Sequence, residues 1–161
     1  MNSEKSKFIL QTLSLGLISG MRSIAGPAIA SHILSKHHSK TVSHSFLKFL
    51  QSDKVAMVLK VLAAGEFIGD KLPLTPDRVE PLSVLFRCVS GSIVGAGIFK
   101  ASGKRVLNGV MLGGLTAVCS TFGSFYLRKV IAKNITINDP FIGAVEDALV
   151  VGAGLALIAN Y

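Results

Sequence analysis

Residues 8–34 read FILQTLSLGLISGMRSIAGPAIASHIL, and this stretch decides the fold class of the chain. It is a long apolar run that contains one arginine and one Gly-Pro pair. Four further apolar runs follow, at residues 55–72, 82–99, 106–127 and 141–159. Each approaches the ~20 residues that a helix needs to cross a bilayer, and none alternates as a membrane strand does. The sequence predicts an all-α, polytopic transmembrane bundle of about five Gly-rich helices, in one domain over residues 1–161.

The composition favours a lipid bilayer as the main partner and does not favour nucleic acid. Half of the 161 residues are apolar, the mean hydropathy is +0.56 and the formal net charge is +8. A soluble domain needs more polar surface than this. The Lys and Arg residues stand mostly between the apolar runs, where the loop charges of a membrane protein belong. Cys88 and Cys119 lie inside apolar runs and are predicted to be reduced, buried thiols.

The first run is predicted to break near Arg22–Pro27. Pro27 lacks a backbone donor and Gly26 is flexible, so a helix kinks or ends there. If the broken run still crosses, the five crossings place seven Lys or Arg on each side, and the positive-inside rule gives no orientation. If it turns back instead, the count becomes nine against five and both chain ends face the cytoplasm. The broken crossing is the preferred prediction.

Paired glycines predict close contact between helices. The first four runs each contain two glycines four residues apart: Gly16 and Gly20, Gly65 and Gly69, Gly91 and Gly95, Gly109 and Gly113. In lipid, small residues let helix backbones approach each other and so drive association. We expect this packing within one chain or across a homodimer. Short similarities between the first two runs and the last two are also consistent with an inverted repeat around the third, as in transporters.

Charged residues inside the apolar runs mark the candidate site. A charge near the bilayer centre costs a few kcal/mol, so such residues pair with one another or line a wet cavity. The predicted ion- or ligand-binding residues are Ser19, Arg22, Ser23, Glu66, Asp70, Arg87, Glu146 and Asp147. Carboxylates in a medium of low dielectric exchange protons near neutral pH, and Glu66, Asp70, Glu146 and Asp147 are the ligands for a hard divalent cation if a metal binds. Alternatively, an Arg22–Glu66 or Arg22–Asp147 ion pair only fixes the geometry of the bundle.

Several of these residues fall in motifs of a known family. The motifs are Ser19-Gly20-Met21-Arg22-Ser23 with Pro27, Gly65-Glu66-x-x-Gly69-Asp70-Lys71-Leu72-Pro73-x-Thr75-Pro76-x-Arg78, Arg87 with Gly91, and Glu146-Asp147-Ala148. Over nearly its whole length the chain resembles the bacterial membrane family called domain of unknown function 4126. The resemblance implies a multi-pass protein of the bacterial cytoplasmic membrane. It implies no activity and supplies no catalytic residues.

The function predicted from these observations is a small transporter or channel for a small ion or a proton-coupled solute. Intramembrane carboxylates and Arg22 would bind or relay the ion. The alternative is a non-catalytic scaffold or assembly protein whose intramembrane charges are structural ion pairs. We expect no cofactor. We also expect no enzymatic activity, because no nucleophile–base pair is apparent among the intramembrane residues.

Overall fold

A computed structural model describes residues 2–69, 79–134 and 139–160 of the chain. Within those ranges the regular structure is entirely helical, as the apolar runs predict, and no strand is present. The helices are α1 (Asn2–Met21), α2 (Ala25–Lys36), α3 (Lys40–Ser43), a 3₁₀ helix (Phe46–Gln51), α4 (Asp53–Gly69), α5 (Pro81–Ala101), α6 (Val106–Asn134) and α7 (Asp139–Ala159).

Helices α1 and α2 form an antiparallel hairpin. Near the start of α1, the Phe8 ring lies 5.0 Å from the ring of Phe99 at the end of α5. Beyond the end of α2, the Thr41 hydroxyl donates a 2.8 Å hydrogen bond to the Lys100 carbonyl at the same end of α5. The end of α1 lies instead near the start of α5, where Arg87 reaches the Gly20 carbonyl. Residues 8–34 therefore run into the bundle and back again.

This arrangement changes the prediction for the first run. The interruption falls inside the Arg22–Pro27 segment, because α1 ends at Met21 and α2 begins at Ala25. Pro27 stands in the first turn of α2, where its missing N–H would have no partner in any case. The preferred single broken crossing is not what the structure contains, and neither the count of about five spans nor the inverted repeat is confirmed.

The tip of the hairpin lies inside the bundle. Arg87 contacts the tip, and it lies about 9 Å along α5 from the first residue of that helix. Thr121, which also contacts the tip, is followed by about 20 Å of helix within α6. We call residues 20–24 the hairpin tip, and we name the two ends of the bundle the tip side and the terminal side. The terminal side is where α1 begins and α2 ends.

Glycines bring the central helices together. Gly95 of α5 stands against the Gly109 backbone of α6, and Gly91 stands against the backbone of Gly113, so a Cβ on any of the four would overlap a carbonyl. α1 packs on the same pair through Gly16, where an added Cβ would lie 2.9 Å from the Thr116 Cβ.

The outer surface has the character of a membrane protein. Among the described residues, three helical segments are long and apolar enough to cross a bilayer: Pro81–Ala101, Val106–Ile131 and Ile142–Ala159. α4 also turns large apolar side chains outward, with Met57 and Ile68 both 70% exposed. Such a surface is unfavourable in water and suits hydrocarbon.

Candidate functional site at the hairpin tip

The last carbonyls of α1 are held by side chains of α5 and α6. The Thr121 hydroxyl shares its hydrogen between the Gly20 carbonyl at 3.1 Å and the Ala117 carbonyl of its own helix at 2.8 Å, and the Arg87 guanidinium donates to the Gly20 oxygen at 3.3 Å. The Ser120 hydroxyl donates to the Leu17 carbonyl at 2.7 Å. The Gly20 oxygen has no partner within α1, because a helix leaves its last carbonyls unsatisfied. The buried guanidinium of Arg87 also complements the negative, C-terminal end of the α1 dipole.

The two N–H groups immediately before α2 are held by a carboxylate from a different helix. Glu66 of α4 accepts the Ser23 N–H and the Ser23 hydroxyl at 2.7 Å each on Oε1, and the Ile24 N–H at 2.9 Å on Oε2. The residue at the start of α2 provides no side-chain cap of its own. Glu66 therefore binds the N–H groups of the two residues that lead into α2, and its charge matches the positive end of the helix dipole.

Arg22, between the two helix ends, forms an ion pair with Asp147 of α7. The Arg22 side chain is only 3% exposed and that of Asp147 is 17% exposed. The guanidinium carbon also lies 5.2 Å from the centre of the Phe67 ring of α4, within the range of a cation–π contact. Glu146, the neighbour of Asp147, is buried as well. Two buried arginines and three acidic side chains thus lie at or beside the hairpin tip.

Ser19 has a packing role in the hairpin. Its hydroxyl donates to the Leu15 carbonyl at 2.8 Å within α1. The same oxygen lies so close to Gly26 of α2 that a Cβ at that position would overlap it. Gly26 therefore permits the close approach of the two arms of the hairpin.

The structure gathers most, but not all, of the predicted site residues. Arg22, Ser23, Glu66, Arg87 and Asp147 all make contacts at the hairpin tip. Ser19 lies within α1, close to the tip, and Glu146 is buried at the position next to Asp147. Asp70 lies outside the described residues.

A metal centre is not apparent in the part of the chain that the structure describes. Over residues 2–69, 79–134 and 139–160, no three His, Cys, Asp or Glu side chains come close enough to hold a metal ion together. At the tip, the oxygens of Glu66 bind N–H and O–H donors, and Asp147 binds a guanidinium. These partners occupy both carboxylate oxygens of Glu66 and the Oδ1 atom of Asp147.

Two hydroxyl residues at the tip, Ser120 and Thr121, are not among the site residues predicted from the sequence. Both are buried in the middle of an apolar helix. Their signal in the sequence was the Ser-Thr pair inside the fourth run, since hydroxyl side chains in membrane helices commonly bond across to a neighbouring helix. Nothing in the sequence identified which helix they would meet.

A groove leads from the hairpin tip toward the terminal side. It lies between α4 and α7, with α2 as its floor, and has a volume of about 260 Å³. Phe67 and Ala25 line it near the tip, and His32 and Lys60 line its other end. Its remaining lining residues are apolar or glycine. We call this feature the lateral groove.

Comparison with known proteins gives a family but no activity. Residues 9–160 match the family described as domain of unknown function (DUF4126), and the chain belongs to that family. This confirms the resemblance seen in the sequence motifs. No curated protein and no solved structure matches the chain.

Proposed function

We propose that this protein carries protons, or a small solute coupled to protons, across the bacterial cytoplasmic membrane, and that Glu66 is the group that exchanges the proton. One observation carries the proposal: inside the bundle, the two N–H groups immediately before α2, those of Ser23 and Ile24, are held by a protonatable carboxylate supplied by α4. Discontinuous helices whose ends meet charged groups within a membrane are a recurrent feature of transporter sites.

Protonation of Glu66 changes what holds the tip. The carboxylate attracts the positive end of α2 and accepts three hydrogen bonds. The neutral acid keeps a carbonyl oxygen but loses its charge, so its bonds to N–H groups weaken by about half. α4 packs mainly on α2. Uptake of a proton would therefore loosen α4 from the hairpin tip and give a second arrangement of these two helices.

Asp147 provides a second carboxylate on the opposite side of the tip. It pairs with Arg22, the residue immediately before Ser23. α4 and α7 thus hold adjacent residues of one hairpin through one acid each. We propose that a proton taken up at Glu66 is passed on, or exchanged for a small ion, through a change in the Arg22–Asp147 pair.

Proton flux into vesicles tests this function. The purified protein is reconstituted into liposomes that contain a pH-sensitive dye, and an acid pulse is applied outside. We expect acidification several-fold faster than in protein-free vesicles, and a return to the protein-free rate for Glu66→Gln. Glu80→Gln is the matched control, because Glu80 is exposed at the start of α5 and should retain the full rate. If protons, Na⁺, K⁺ and Cl⁻ all enter as slowly as in empty vesicles, the proposal fails.

A membrane scaffold is the second candidate function, and one observation favours it. Arg22, Glu66 and Arg87 are each bound by protein groups at the tip. In a scaffold, the charges only fix the geometry, and apolar residues of similar volume can replace a buried ion pair. The double variant Arg22→Met/Asp147→Leu should then retain its cellular function. Loss of function in a folded double variant would contradict the scaffold.

The predicted homodimer is compatible with either proposed function. Gly65 of α4 has no atom within 4 Å of an added Cβ, so the small-residue face that the sequence predicted on this helix is open in the single chain. We propose that a second copy packs there. Gly65→Leu should shift a dimer to a monomer in mild detergent, as read by light scattering.

A further inference from the structure

We propose that the lateral groove binds one anionic phospholipid, with an acyl chain between α4 and α7 and the phosphate at Lys60. This lipid site is separate from the proton-exchanging group at the hairpin tip. The argument rests on the apolar lining of the groove, on the basic residues at one of its ends, and on the side of the bundle at which that end lies.

The body of the groove suits hydrocarbon and does not suit an ion. Ala28 and Ile29 form its floor, Ala63 and Ala64 one wall, and Val151 part of the other wall. An ion would lose its hydration there without gaining ligands. About 10 Å of helix separates Lys60 from Phe67 along α4, which is long enough for several methylene groups of an acyl chain. Val151 is also 48% exposed, so the groove continues into the lipid-facing surface.

The end of the groove away from the hairpin tip is basic. The Lys60 ammonium lies 2.9 Å from His32 Nδ1 and donates one hydrogen to it, which leaves two for a ligand. Lys36 lies one turn after His32 on α2, on the same face. Asp53, in the first turn of α4, is the acidic residue of this region. Two lysines against one aspartate leave a net positive charge that complements a phosphate diester.

The position of Lys60 along the bundle also matches a lipid headgroup. His32 lies toward the end of α2 and contacts Lys60 of α4 on the terminal side, where Lys100, in the last turn of α5, and the exposed loop residue Lys104 also stand. A lysine slightly inside the interface extends its ammonium toward the headgroups. A leaflet rich in anionic lipid attracts such basic segments by about 1 kcal/mol, or about fivefold in affinity, for each Lys or Arg.

The test uses the full chain in detergent after removal of bound lipid. Phosphatidylglycerol and phosphatidylcholine with identical acyl chains are added in turn, and native mass spectrometry counts the molecules retained. We expect one phosphatidylglycerol to be retained at concentrations that leave no phosphatidylcholine bound. Inorganic phosphate is the third probe. If phosphate alone displaces the lipid, the site recognises a free anion and the lipid proposal is overturned.

Two variants separate the headgroup from the chain. Lys60→Ala should weaken phosphatidylglycerol binding about fivefold, whereas Lys54→Ala, an exposed lysine of α4 outside the groove, should leave it unchanged. Ala64→Phe fills the groove and should remove the bound lipid, whereas Leu62→Phe on the outer face of α4 should not. Circular dichroism and a single elution peak establish that each variant is folded. Equal affinity for the two lipids, or wild-type binding by Ala64→Phe, would overturn the proposal.

Discussion

Arg22 is the residue at which the energetics of the hairpin tip can be measured most directly. Its side chain is almost fully buried and its charge is met by Asp147. Removing one member of a buried ion pair leaves the other charge uncompensated, which typically costs more than removing both. The contribution of this pair is therefore best measured by a double-mutant cycle.

Arg22→Met is predicted to lower the free energy of unfolding by about 3 kcal/mol or more, because Asp147 then keeps its charge without the guanidinium. The double variant Arg22→Met/Asp147→Leu should recover most of that loss. Thermal unfolding in mild detergent measures both variants. Arg105→Met is the control, because Arg105 is exposed in the turn between α5 and α6 and its loss should change little. A double variant as unstable as the single one would show that the pair is not the source of the effect.

Gly26 is predicted to tolerate no larger residue while Ser19 keeps its hydroxyl. In Gly26→Ala, the new methyl group overlaps the Ser19 oxygen, and overpacking of this kind costs about 1–3 kcal/mol. Ser19→Ala removes that oxygen, so the double variant should be more stable than Gly26→Ala alone. The measurement is the melting temperature of each variant, and we expect that of the double variant to be higher than that of Gly26→Ala. If Ser19→Ala adds its own loss instead, the hairpin arms are not limited by this contact.

Residue types were largely sufficient to predict which charges form the tip, and insufficient to predict how they pair. Arg22, Glu66 and Asp147 are conspicuous because charges are rare inside apolar runs. The sequence left two partners open for Arg22, and in the structure it pairs with Asp147, while Glu66 binds backbone N–H groups. That choice depends on where α4 and α7 lie around α2, which no local pattern encodes.

At the scale of the helices, glycine spacing alone does not tell a contact from an open face. The pairs of α5 and α6 meet each other, whereas Gly65 of α4 meets nothing in the chain. The two cases share the same four-residue spacing. The pattern of the first run likewise does not show whether the chain continues across or turns back at residues 22–24. The turn depends on both arms of the hairpin packing against α5, which lies far along the sequence.

The α5–α6 contact is predicted to depend on glycine at Gly109. Gly109→Ala places a methyl group against the Gly95 backbone, and because a carbonyl cannot move aside as a side chain can, we expect a loss of about 1–3 kcal/mol. Gly123→Ala in the same helix is the matched control. Its Cβ meets no atom within 4 Å, and alanine is the better helix former, so its stability should be unchanged or slightly higher. Equal effects of the two changes would mean that helix propensity, and not packing, dominates.

For the whole molecule, the hairpin decides the topology. α1 and α2 run in opposite directions, and so do the helix pairs α2 and α4, α5 and α6, and α1 and α7. Lys7 of α1 and Asn160, which follows α7, then both lie on the terminal side. Nine basic residues belong to the same side: Lys5, Lys7, Lys36, Lys40, Lys48, Lys54, Lys100, Lys104 and Arg105. From the positive-inside rule, we predict that this side faces the cytoplasm.

Single-cysteine labelling in intact bacterial cells tests this topology. In a variant without Cys88 and Cys119, cysteines at Lys7 and Asn160 should both resist a membrane-impermeant maleimide, and both should react in inverted vesicles. A cysteine at Glu80, on the tip side, should behave in the opposite way and serves as the internal control. The result separates the hairpin from a broken crossing, because an odd number of crossings places Lys7 and Asn160 on opposite sides. Reaction of only one of the two in intact cells would contradict the hairpin, and with it the placement of Arg22 and Ser23 at an intramembrane tip.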